Sequence, residues 1–177
     1  ELDPGIRRYH EALGANNREI CDLLAREIGR SLVGAEGKVW HAHPVWFLDG
    51  NPIVGYSLQK KGVRLMFWSG ADFGEPALSV VGKKFKDASI FFTEASQVNR
   101  TDLRRWLTSA RSIQWDYKNI VRRKGRLDPL SSNSAPCERP VAAHPLGNIA
   151  APFATRHPAQ SNPARSAKRW SSNDVGA

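Results

Sequence analysis

Residues 38–70 constrain the fold more than any other stretch of the chain. They read Lys-Val-Trp-His-Ala-His-Pro-Val-Trp-Phe-Leu-Asp-Gly-Asn-Pro-Ile-Val-Gly-Tyr-Ser-Leu-Gln-Lys-Lys-Gly-Val-Arg-Leu-Met-Phe-Trp-Ser-Gly. Three apolar runs rich in β-branched and aromatic residues are cut by Asp49-Gly50-Asn51-Pro52 and by Lys60-Lys61-Gly62. Such runs, separated by short turn signals, predict consecutive antiparallel strands, a β-meander. Trp40, Trp46 and Trp68, three of the six tryptophans, fall inside it, so it should supply much of the buried aromatic area. Core is the expected role for most of the tryptophans, Trp106 and Trp115 included.

The rest of the chain supplies helices to cover this sheet. Ile20, Leu23, Leu24, Ile28 and Leu32 recur at three- and four-residue steps and so share one helix face, with Asn16 or Asn17 as the cap and Gly34 and Gly37 as the stop. Arg18, Glu19, Asp22, Arg26, Glu27 and Arg30 alternate in sign on the other faces, as suits a solvated surface. Residues 88–93 read as a fourth strand. Leu103, Trp106, Leu107, Ala110, Ile113, Tyr117, Ile120 and Val121 then hold a helical register up to Gly125, with a break near Ser112 that would make two helices of one.

Residues 1–16 read as a short helix or ordered arm, 17–127 as the folded domain, and 128–177 as a Pro/Ser/Ala-rich tail without the apolar surface to offset its ordering entropy. The expected class is α+β: an antiparallel sheet of four or more strands with N- and C-terminal helices packed on one face. No secretory leader and no unbroken apolar run of about 18 residues is present. Cys21 sits in a helical pattern and Cys137 in the tail, which argues against a disulfide framework. A reducing cytoplasm and no membrane attachment are the expectations.

The net charge of +9 is concentrated. Residues 100–126 carry nine Lys or Arg against Asp102 and Asp116, whereas residues 1–99 are neutral. On a continuous helix Arg100, Arg104, Arg111, Lys118 and Arg122 fall in one narrow sector beside Trp115. Such a row can follow a phosphate backbone or hold an acidic partner, although no nucleic-acid motif accompanies it.

A second candidate site is His41 with His43, beside Trp40. Positions two apart on a strand face the same way, so both imidazoles could reach one ion, with Asp49 and Glu75 as the carboxylates to complete a set. Against that stands a simpler role, packing on a Trp-rich surface. Trp40 and Trp46 share strand parity, so the opposite parity (Val39, His41, His43, Val45, Phe47) forms a second apolar face. That face needs a cover: the N-terminal arm, a dimer partner or a ligand. Cys21 reads as a small buried hydrophobe, and no nucleophile motif, phosphate loop or metalloprotease motif occurs.

The order of these pieces resembles a known family. The helix is followed by the strand and turn running Val-Trp-His-Ala-His-Pro-Val-Trp-Phe-Leu-Asp-Gly, by Val63-Arg-Leu-Met-Phe-Trp-Ser-Gly, and by the strand at residues 88–93. Leu103-Arg-Arg-Trp-Leu and Ile113-Gln-Trp-Asp-Tyr-Lys-Asn-Ile-Val close the series. Over residues 17–127 this resembles the YdhG-like family of small bacterial domains of unknown function, DUF1801. The resemblance implies an α/β sandwich with helices on one face of an antiparallel sheet and brings no catalytic residues to carry over; with no catalytic constellation in the sequence, the expected role is non-enzymatic. One branch implies a frataxin-like iron chaperone, which makes iron the cofactor to consider. Frataxin-like sites use a row of carboxylates, whereas Glu19, Asp22 and Glu27 are here interleaved with Arg18, Arg26 and Arg30, so weak iron affinity is expected. The reading at this point is a domain that binds a small ligand, metal or partner protein through its sheet face. The alternative is a basic-helix adaptor for nucleic acid or an acidic protein.

Overall fold

The computed structural model describes residues 2–130. The tail from 131 onward lies outside the described residues. The N-terminal arm is a helix, α1 (Pro4–Glu11), started by Asp3, whose Oδ1 accepts from the backbone N–H of Gly5 and Ile6 at 2.8 and 3.1 Å. Pro4 occupies the first turn, where a missing N–H costs nothing. The second helix, α2 (Ala15–Ser31), is capped by Gly14 and not by an asparagine; the Asn16 amide instead donates to the Thr93 carbonyl at 2.6 Å.

Residues 38–70 fold as a meander with one more reversal than expected. β1 (Glu36–Trp40) and β2 (His43–Leu48) are separate strands joined at His41 and Ala42, whose φ angles are 48° and 66°. β3 (Asn51–Gln59), β4 (Gly62–Phe67), β5 (Val80–Val81) and β6 (Ala88–Phe92) complete an antiparallel sheet of order β1-β2-β3-β4-β6-β5. A two-residue hairpin loop with both residues at positive φ matches the right-handed twist of its strands. Asn-Gly is the sequence that usually announces such a loop, and His-Ala is not.

This turn inverts the parity argument. Trp40 pairs with His43, and Gly37 with Trp46, so Trp40 and Trp46 stand on opposite faces of the sheet. Trp46, Tyr56, Leu65, Phe67 and Phe92 point toward the helices and pack with Ile6 of α1, Ile20, Leu24 and Ile28 of α2, and Leu103, Trp106 and Leu107 of α3 (Arg100–Ser112). All three helices therefore cover one face, as the α+β reading requires. Each fully buried large side chain contributes on the order of 1.5–3 kcal/mol. Trp46, Trp106 and Trp68 are buried as expected, while Trp40 is 38% exposed.

Asn99 caps α3, accepting at Oδ1 from Thr101 and Asp102 N–H. The helix ends at Ser112, with Ile113 extended at φ −104° and ψ 101°. The chain then runs back along the sheet, and β7 (Gln114–Trp115) pairs with β8 (Pro129–Leu130). Residues 128–130, assigned to the tail from sequence, thus belong to the folded unit: Asp128 accepts from Asp116 N–H through its backbone carbonyl and pairs with Arg123 through its carboxylate.

One side chain fastens this return. Asn51, 3% exposed, donates from Nδ2 to Gln114 Oε1 (3.2 Å) and the Trp115 carbonyl (3.1 Å), and accepts at Oδ1 from Tyr117 and Lys118 N–H (3.0 and 3.1 Å). All four hydrogen-bonding positions of its amide are used. The result is that Tyr117 lies against the second sheet face, on the small cluster of Val45, Phe47 and Trp68. The cover expected for that face is therefore supplied in part by the chain's own C-terminal segment, while α1 sits on the helix side.

Candidate functional site

The second face of the sheet exposes an aromatic step at the β1–β2 hairpin. The Trp40 ring lies 5.6 Å from Phe47 and 6.2 Å from Trp68, centroid to centroid, and 4.2 Å from His41. Lys38, two residues before Trp40 on the same face, places its ammonium 4.7 Å from the centre of Phe47. Trp68 fits because residue 55 is glycine: a Cβ there would stand 2.7 Å from the Pro44 carbonyl oxygen and 3.2 Å from the Trp68 ring. Farther along, Tyr117 accepts from Lys86 N–H at 2.9 Å and meets Phe85 at 6.3 Å.

His43 is half-buried beside Trp40. Burial pushes its pKa below the ordinary imidazole value; a hydrogen bond to the His41 backbone opposes this, and the charges of His41 and Arg64 add to the lowering. A neutral imidazole offers one donor and one acceptor. Arg64 is committed elsewhere, donating to Ser89 Oγ at 2.9 Å and lying 3.6 Å from Asp87.

The shared-strand argument for His41 and His43 does not hold, because His41 belongs to the turn. Nor do the carboxylates come to them: Glu75 is gripped by Arg105 at 2.7 Å, and Asp49 sits at the far end of β2, its carbonyl accepting from Lys118. Among the described residues no group of three or more His, Cys, Asp or Glu side chains converges as a metal site. Two of the three carboxylates considered for a frataxin-like iron site are also engaged. Asp22 Oδ1 lies 2.6 Å from His10 Nδ1, and Glu27 is salt-bridged to Arg104 at 2.9 Å. These residues do not fit an iron site of that kind.

The expected basic stripe is divided by the end of α3. Arg100, Arg104 and Arg111 share the helix, but Lys118 and Arg122 lie beyond it in the return segment. Arg104 binds Glu27, Arg111 donates to the Val33 carbonyl at 3.0 Å, and Lys118 donates to the Asp49 carbonyl at 2.7 Å. Glu27 is the larger correction: placed on a solvated face from sequence, it has no exposed surface. The Arg104 hydrogen bond holds its carboxyl below the usual range against the opposing effect of burial, and Arg30 and Arg100 approach at 3.9 and 4.0 Å.

Sequence reasoning missed two further arrangements. His10, 2% exposed, bridges Asp22 and the Tyr56 hydroxyl, its Nε2 lying 2.7 Å from that oxygen. Arginines of α2 also join those of α3 around an open cavity of about 370 Å³ lined by Arg18, Arg26 and Arg100. The recurrence of Arg18, Arg26 and Arg30 at eight and four residues was the available signal. Cys21 is buried, and burial pushes its thiol up to about 12, so it is inert as read.

No protein-family model and no curated protein matches the sequence. No helix among the described residues is long and apolar enough to cross a membrane. Among solved structures, the chain is similar to YdhG of Bacillus subtilis, a protein of the DUF1801 family, with a TM-score of 0.48 and 14% sequence identity over 68% of this chain and 91% of that one.

Proposed function

We propose that the protein is a non-enzymatic cytoplasmic binding module that takes a small ligand with a flat aromatic portion on the open sheet face, at Trp40, His41 and His43. The observation that carries this is the Trp40 indole, braced by Phe47 and Trp68 and yet 38% exposed, next to the His41 ring. An aromatic surface held in place before binding loses little side-chain entropy when a flat group stacks on it. His43, kept neutral by burial, offers one donor and one acceptor for a polar substituent.

The test is a thermal-shift and NMR screen of flat heteroaromatic compounds against the folded protein and its Trp40→Ala and His43→Ala variants. Stacking of this kind contributes on the order of 0.5–1.5 kcal/mol beyond area burial, so Trp40→Ala should weaken a true ligand by about tenfold. Ligands that bind Trp40→Ala as well as the parent, or that perturb only residues of the helix face, refute the reading.

A further inference from the structure

The helix side of the molecule carries a feature that the sheet-face reading does not use. The cavity between α2 and the start of α3 is lined by Arg18, Arg26 and Arg100, with Glu19 and Asp22 on its wall and Leu23 in its floor. Most arginines nearby are spoken for: Arg104 by Glu27, Arg105 by Glu75 and Asp102, Arg111 by the Val33 carbonyl. The three in the cavity are held at longer range or not at all. Arg26 has no partner among the described residues. Arg18 reaches only to 3.7 Å from Asp22 Oδ2, while the other oxygen of that carboxylate lies 2.6 Å from His10 Nδ1. Arg100 stands 4.0 Å from Glu27 Oε1, an oxygen that makes no hydrogen bond, while the charge of Glu27 is already matched by Arg104.

We infer that this cavity is a binding site for a phosphoryl group, with Arg18, Arg26 and Arg100 as its ligands. Arg18 and Arg26 lie eight residues apart on α2, about 12 Å along its axis, and Arg100 lines the same cavity from the start of α3, so two helices contribute arginines to one volume. The donor count selects the ligand. Each guanidinium presents paired N–H donors that suit bidentate contact, and three of them exceed the two oxygens of a carboxylate but match the three terminal oxygens of a phosphoryl group. Glu19 and Asp22 oppose an anion, and Asp22 is already engaged by His10 and Arg18. Leu23 leaves room for an apolar portion of an organic phosphate. The phosphoryl group could be that of a free phosphate ester or of a nucleic-acid backbone, and the experiment separates these sources.

Titration calorimetry at low salt would use inorganic pyrophosphate, a nucleoside 5′-diphosphate and a mixed-sequence single-stranded oligonucleotide. The proteins are the whole chain, Arg26→Ala/Arg100→Ala, Glu19→Gln, and Arg111→Ala as a control outside the cavity. Both residues of the double variant are exposed, and circular dichroism confirms its fold. Charge-assisted bonds of this type are worth enough that losing two should weaken pyrophosphate by about tenfold or more. Glu19→Gln should tighten it a few-fold, and Arg111→Ala should leave it unchanged. Tighter binding of the oligonucleotide than of pyrophosphate, with a steep salt slope that falls in the double variant, assigns the phosphoryl group to nucleic acid; the reverse order assigns it to a free phosphate. No binding of any of the three at low salt, or binding that the double variant leaves unchanged in a folded protein, overturns the inference.

Discussion

Replacing Glu27 tests the least expected pairing in the molecule. Its carboxylate has no exposed surface, and Arg104 reaches it at 2.9 Å from a side chain that is 55% exposed. Glu27→Gln removes a charge-assisted hydrogen bond of about 1.5–3 kcal/mol, but it also removes the cost of keeping a carboxylate out of water. Because the covering guanidiniums reach solvent, screening holds the net loss near 1–2 kcal/mol. Arg104→Ala should cost more, about 2–3 kcal/mol, since it leaves a buried charge facing only the distant Arg30 and Arg100. For a domain of this size the two losses correspond to melting points lower by about 3–8 °C and about 6–12 °C.

The pH dependence carries the sign. The folded carboxyl titrates below its ordinary value of 4.5, so its stabilising effect is fully present above that value and is lost as pH falls through the folded pKa. The gap in melting point between the parent and Glu27→Gln should therefore be constant from about pH 7 to about pH 5 and narrow as the pH falls below the ordinary value of 4.5 and through the lower folded one. Calorimetric melting curves across that range are the assay. A Glu27→Gln protein as stable as the parent at neutral pH, or a gap that persists undiminished in acid, would show that the arginines merely screen the group.

Two further predictions concern the sheet. Asn51→Ala deletes four hydrogen bonds and leaves the Lys118 N–H without its partner, while the Tyr117 N–H keeps its bond to the Trp115 carbonyl, so it should cost about 2–3 kcal/mol and make residues 113–130 the first site of limited proteolysis; unchanged cleavage and stability would mean that the return segment is held by other contacts. Ala42→Gly relieves an alanine at φ 66° and should stabilise the fold by about 0.5–1 kcal/mol in urea denaturation, whereas a loss would place the origin of that turn outside its backbone preference.

Much of the fold was legible because it depends on local repetition. The apolar alternation of β3 and β4, the short run of β6 and the helical seams of α2 and α3 are each visible within a few residues of themselves. What was not legible depends on distant partners or on an unannounced turn. His41 and Ala42 carry no turn signature, so two strands read as one and the faces of Trp40 and Trp46 were merged. Glu27 sits in an alternating charged pattern that normally faces water, and the arginine that buries it comes from 77 residues away. Asn51 looked like turn punctuation because its four partners lie beyond residue 113. The candidate site followed the same division: Trp40, His41 and His43 do gather, but around a hairpin and not along a strand. The arginine cavity needs two helices to meet, so the recurrence of Arg18 and Arg26 along α2 shows only one of its sides.

The Asn51 clamp also has a bearing on the order in which the molecule is assembled. Its partners lie 63–67 residues downstream, whereas every hairpin from β1 to β4 is complete by residue 67. Closing so long a loop is entropically slower than closing a hairpin, so the meander should form first and wait for residues 114–118. Until they emerge from the ribosome, Phe47 and Trp68 lack the Tyr117 cover and the Asn51 amide lacks all four partners. A chain arrested before residue 114 should therefore expose an adhesive aromatic face that a chain arrested after residue 130 does not. Dye binding and chaperone capture of such arrested chains would measure that difference directly.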